Sequence, residues 1–128
     1  MASYGKANLR EIQDSATDHG LSAHQEARFP RRDLGAEQTG IAFLIIRPDQ
    51  REAFAHRHRT AEEIYFVIGG AGRVKLNNEL VDLVPFDAVR VSPGLARSFE
   101  AGSDGLQVLI FGPHVDSDVE MVEDFWTD

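Results

Sequence analysis

From Gly40 to Gly112 the chain alternates apolar and polar positions in short runs, each cut by a turn signal. IAFLIIR, Ile41 to Arg47, is almost continuously apolar and stops at Pro48-Asp49, which predicts a buried strand. AFAHRHR, Ala53 to Arg59, alternates with the period of a strand, and EIYFVIG, Glu63 to Gly69, is rich in β-branched and aromatic residues. RVKL (Arg73 to Leu76), ELVDLV (Glu79 to Val84), DAVRVS (Asp87 to Ser92), ARSFEA (Ala96 to Ala101) and LQVLIFG (Leu106 to Gly112) continue the series. Gly69-Gly70-Ala71-Gly72, Asn77-Asn78, Pro85, Pro93-Gly94 and Gly102-Ser103-Asp104-Gly105 read as the turns and stops between them. Short strands with turn signals at such regular spacing predict an all-β sandwich or barrel, and no segment of this half has a helical period.

The flanks read differently. Residues 1–39 are polar and irregular. Ala7 to Asp14 predicts a short helix, His19, Gly20, Ser22 and His24 predict loop, and Pro30 punctuates a segment expected to add an edge strand. This arm is too poor in apolar residues for a core of its own, so it is expected to lie along the barrel of residues 40–112. Residues 113–128 form an acidic tail with Phe125 and Trp126 near its end. Either the tail frays, or the two aromatics dock on the domain or on a partner subunit.

Composition narrows the function classes. A chain of 128 residues fits one domain. A net charge of -8 argues against a nucleic-acid partner, because phosphate binding draws on clustered Lys and Arg. With no cysteine there is no disulfide, thiolate ligand or cysteine nucleophile. The longest apolar run, Ile41 to Ile46, falls far short of the ~20 residues a membrane helix needs. The N-terminus has no apolar signal region, so a cytoplasmic setting is expected.

The chemistry concentrates in AHRHRTAEEIYFVIGG, Ala55 to Gly70. On a strand, His56 and His58 share one face while Arg57 and Arg59 take the other. Two imidazoles two residues apart converge on one ion, and the arginines stay in water. A third ligand must come from a neighbouring strand, and Glu62 and Glu63 point to opposite faces, so only one of them qualifies. Two imidazoles and a carboxylate suit Fe, Zn, Ni or Mn, and the residues do not choose among them.

HRHRTAEEIYFVIGG followed by AGRV resembles the first motif of the cupin superfamily: Gly, five residues, His-X-His, three or four residues, Glu, six residues, Gly. His56, His58, Glu63 and Gly70 match it; Glu62 with Gly69 fits the spacing too, but the EEIYxVxxGxGRV form aligns the family's glutamate with Glu63. Gln50 stands where the motif opens with Gly. Pro85 to Ala101 resembles the second motif with departures: Phe86 replaces the first Gly, Ser92 the Pro and Ala101 the Asn, while Gly94 is kept. Arg97 occupies the position of the fourth metal ligand, and a guanidinium cannot ligate a metal.

The resemblance implies a cupin double-stranded β-helix, a jelly-roll barrel, with a homodimer as the expected assembly; the strand around Ile64 to Ile68 is apolar on both faces and must be covered twice. Three readings of Arg97 stand open. It anchors a small anionic organic substrate beside a metal held by His56, His58 and Glu63. It pairs with Glu63 and replaces the metal. Or it turns outward from a merely polar pocket. Tyr65 shares the face of Glu63 and is a candidate proton donor. Phe54 and Phe99 are expected to line the cavity, whereas Arg31 and Arg32 read as solvated surface. The functional expectation is a metal-capable cupin of unassigned activity, with a metalloenzyme of oxygenase or isomerase type as one form of it, against a non-catalytic module that binds a small molecule.

Overall fold

Two long strands organise the barrel. In the computed structural model, which describes residues 2–128, β4 (Glu63–Leu76) and β7 (Arg97–Gly112) run antiparallel from Ile64 opposite Phe111 to Leu76 opposite Arg97. Around them lie β1 (Gln25–Arg28), β2 (Gly40–Ile46), β3 (Ala55–His58), β5 (Glu79–Leu83), β6 (Ala88–Val91) and β8 (Val119–Val122). The strands connect in the order β1-β2-β7-β3-β8, and β4 pairs with β5, β6 and β7. The all-β expectation therefore holds, with β4 and β7 contributing to both halves of the barrel.

The glycine-rich stretches differ from their reading as turns. Strand β4 continues through Gly69 to Gly72 and β7 through Gly102 to Gly105, with register shifts between Val67/Gly69 and Gly70/Gly72. Here the two backbones touch. A Cβ on Gly70, whose φ is 70°, would sit 2.0 Å from the Gly105 carbonyl oxygen, and one on Gly72 would sit 2.2 Å from that of Glu100. Glycine permits close approach and bulging as readily as it permits a turn, so composition alone confuses them.

The short helix expected over Ala7 to Asp14 does not form. That segment makes one turn, with Glu11 N–H donating to the Asn8 carbonyl. Asp14 instead caps α1 (Ser15–Asp18) through Ala16 N–H and also accepts from Ala27 N–H at 2.9 Å, tying the arm to β1. A side chain with two backbone donors to satisfy serves better as a cap than inside a helix. Strand β1 pairs with β2 before Pro30, and α2 (Arg31–Leu34) follows.

The core lies between the sheet halves: Leu44, Ile46, Tyr65, Val67, Val74, Phe99, Leu106 and Val108 are all buried. The tail does not fray. Val119 to Val122 pair with β3 as strand β8, and Trp126 Nε1–H donates to Ser98 Oγ at 3.1 Å beneath the Arg51 guanidinium, 4.3 Å from the ring. Both tail aromatics thus meet side chains of the same domain, Phe125 lying 4.6 Å from Lys75 Nζ. Among the described residues no helix is long and apolar enough to cross a membrane.

Candidate metal centre

Strand β3 sends alternate side chains to opposite faces. Arg57 and Arg59 point outward to Glu120 of β8, at 3.9 and 2.6 Å. His56 and His58 point inward, their rings 5.2 Å apart and nearly perpendicular. From β4, Glu63 shares the inward face with buried Tyr65 and Val67, whereas Glu62 points out to Arg90 at 3.3 Å. Glu63 Oε1 lies 3.9 Å from His56 Nε2 and 3.3 Å from His58 Nε2, and one ligand atom from each of the three residues lies within 4.8 Å of the others. Ligands at about 2.1 Å from one ion are about 3–4 Å apart, so the donor set fits a divalent transition metal.

The centre is held from behind by groups that are themselves held. Asp118, buried in the tail segment, takes His58 Nδ1–H at 3.0 Å on Oδ2. The same carboxylate accepts Thr60 N–H at 2.8 Å, Thr60 Oγ1–H at 2.7 Å and Ala61 N–H at 3.0 Å. Burial works to raise its pKa, yet these donors hold it down to about 2. An anion on Nδ1 fixes the His58 tautomer and leaves Nε2 free to face Glu63. The Glu63 carboxyl is likewise held well below the carboxylate range; burial opposes this, and the imidazoles of His56 and His58 and the Tyr65 hydroxyl outweigh it. His58 is raised, first by Glu63, against the opposing effect of burial.

Tyr65 and Arg97 form the rest of that rear wall. Tyr65 Oη–H donates to Glu63 Oε1 at 3.0 Å, and Arg97 Nε–H donates to Tyr65 Oη at 3.0 Å. Arg97 Nη1 donates to the Leu95 carbonyl at 2.8 Å, and Nη2 sits 3.5 Å from Glu63 Oε1 without a hydrogen bond. The Arg97 side chain is 0% exposed, so of the three readings the outward-turned arginine is excluded. Neither Tyr65 nor Arg97 lines the cavity in front of the centre. Phe99 does not either; it packs against the Tyr65 ring in the core, 4.9 Å between centroids.

That cavity measures about 480 Å³ and is lined by His56, His58 and Glu63 together with Phe54, Glu52 and Arg31. Sequence reasoning passed over three of the residues that matter here. Glu52 has the parity of Phe54 and His56, which was the available signal, but it precedes β3; burial and the nearby Glu63 charge push its carboxyl up to about 8. Asp118 carried no local signal. Arg31, expected to be solvated, lines the cavity, while its neighbour Arg32 is exposed. His19 and His114 also line the cavity but are not part of the ligand cluster.

Residues 42–111 match the cupin domain family. The chain belongs to the cupin family. The protein is 30% identical over 121 residues to Uncharacterized protein MJ1618 of Methanocaldococcus jannaschii, covering 92% of this chain and 94% of that one. Its fold is similar to that of a cupin protein from Bacteroides fragilis, with a TM-score of 0.69 at 22% identity over 91% of this chain and 89% of that one. It is also similar to oxalate decarboxylase from Bacillus subtilis, with a TM-score of 0.67 at 21% identity, covering 79% of this chain and 28% of that longer one. Within this cupin barrel His56, His58 and Glu63 converge, and Arg97 sits directly opposite His56 across the β3–β7 ladder.

Proposed function

We propose that this cupin is a metal-dependent enzyme for a small organic molecule, with His56, His58 and Glu63 holding one divalent transition metal at the wall of the cavity. One observation carries the reading: three donors of metal-ligand type converge where the cavity gives access to them. The bound metal would supply Lewis-acid polarisation of a substrate oxygen, or a site for oxygen chemistry. The protein's part is to orient. Asp118 fixes the His58 tautomer, Tyr65 and Arg97 hold Glu63 ionised and in place, and Phe54 gives the cavity an apolar wall. Tyr65 spends its proton on Glu63, so in this reading it is a positioning residue rather than the proton donor to substrate.

A second reading rests on the 3.5 Å approach of Arg97 Nη2 to Glu63 Oε1. There the guanidinium supplies the positive charge that a metal would supply, and the protein is a non-catalytic binder. Elemental analysis of untagged protein separates the two. About one equivalent of Fe, Zn, Ni or Mn per chain, lost in a His56→Ala, His58→Ala double variant, is the expected result. No metal after incubation with each of the four would favour the binder. Because His58 is raised in the metal-free protein, metal must displace a proton there, and affinity is expected to rise with pH.

For assembly we propose a homodimer that covers the outward face of β4, where Ile64 and Ile68 remain exposed beside Phe111. A monomeric mass in multi-angle light scattering at micromolar concentration would remove it.

A further inference from the structure

The cavity is walled by apolar side chains that stay wet: Phe29, Phe54, Val119 and Met121 are 60, 46, 51 and 58% exposed. Apolar surface left open around a concave site marks where an apolar ligand is taken. A volume of about 480 Å³ is too large for a two-carbon acid to be gripped on all sides. In this same wall stands Arg31, the one Arg or Lys among the described residues that line the cavity. Its Nε is buried with no acceptor, and it enters no ion pair among the described residues. Arg28, Arg47, Arg51, Arg59, Arg73 and Arg90 each have a carboxylate within 3.3 Å, whereas Arg10 and Arg32 share the lack of an ion pair but do not line this cavity. A permanently charged guanidinium at a cavity wall, with no carboxylate partner among the described residues, is a receptor for an anion.

We infer that the cavity binds an organic anion with an apolar body, and that Arg31 pairs with its charged head. The inference rests on the cavity assigned above and adds the substrate class. It also moves anion recognition from Arg97, which is enclosed behind Glu63, to the N-terminal arm. Two carboxylates share the cavity and neither opposes the anion strongly. Glu63 is already faced by His56, His58, Tyr65 and Arg97, and Glu52 accepts Phe99 N–H at 3.2 Å. His19 and His114 add no negative charge, although His114 is already paired with Asp116 at 2.9 Å.

The test is calorimetric titration of the full chain, metal-free and zinc-loaded, with 4-phenylbutyrate, its neutral amide and phenyl phosphate. Wild type is compared with Arg31→Met and Arg31→Lys, each checked for folding by thermal melt. The expected result is that an anion binds more tightly than the amide. Arg31→Met should weaken the anion on the order of 10- to 100-fold, leave the amide unchanged and leave zinc stoichiometry unchanged. Arg31→Lys should recover part of the loss. Dependence on Arg31 for phenyl phosphate alone would keep the inference and name a phosphoryl head. Equal anion affinity in wild type and Arg31→Met would overturn it, as would no binding of any of the three probes at millimolar concentration. An Arg31-dependent preference in protein that takes up none of Fe, Zn, Ni and Mn would end the metal reading and leave this one standing. Zinc uptake with no Arg31 dependence would do the reverse.

Discussion

The two sides of Glu63 are built on opposite rules. Behind it, Tyr65, Arg97 and Asp118 are buried, and nearly every polar atom has a protein partner. In front, Arg31 Nε has no acceptor and Phe54 is half exposed. The rear wall has already spent its interactions on holding donors in place, which is what a metal site needs from its surroundings. On the proposed reading the front wall keeps its interactions for a ligand. Substitutions behind Glu63 should therefore show first in stability and metal affinity, and those in front first in ligand affinity.

Arg97→Met should cost about 3–5 kcal/mol, because it leaves the Tyr65 hydroxyl and the Glu63 charge buried without their cation; a chemical melt within about 0.5 kcal/mol of wild type would mean the rear wall is not rigid. Asp118→Asn should weaken metal binding on the order of 10- to 100-fold by titration, with a change in the His58 tautomer visible by nitrogen NMR. Tyr65→Phe should cost about 1–3 kcal/mol, since Arg97 Nε–H then loses its acceptor inside the core.

A pH experiment probes the front wall. In metal-free protein the Glu52 carboxyl is raised from 4.5 to about 8 by burial first and Glu63 second. A carboxyl raised on folding contributes most below its unfolded value, and that contribution is lost as pH rises through about 8. Wild type should therefore lose melting temperature relative to Glu52→Gln between pH 5 and 8; parallel curves would mean that Glu52 is ordinarily ionised. Phe54→Ala, the smallest effect, should change stability by less than about 0.5 kcal/mol while weakening an apolar ligand.

How much of this was readable without coordinates follows the range of each interaction. Strand alternation, a local rule, admitted only one of Glu62 and Glu63, and the resemblance to the cupin motif chose Glu63; the inward burial of Glu63, Tyr65 and Val67 agrees with that choice. The convergence of His56 and His58 is equally local. Asp118 was illegible because 60 positions separate it from His58, in an acidic stretch where one more aspartate stands out from nothing. Arg31 sits on a four-residue helix whose pairing of two arginines looks the same whether one or neither is enclosed. The glycines of β4 and β7 were misread because a close approach between distant strands and a tight turn make the same demand on a residue.

Strand β8 has a consequence for when the centre comes into being. A ribosome delivers His56, His58 and Glu63 well before it delivers Asp118 and the strand that flanks β3. Until then His58 has no anchor on Nδ1, and either ring nitrogen is free to take a passing ion. On the proposed reading, correct loading waits for the arrival of strand β8 rather than for the appearance of the ligands themselves.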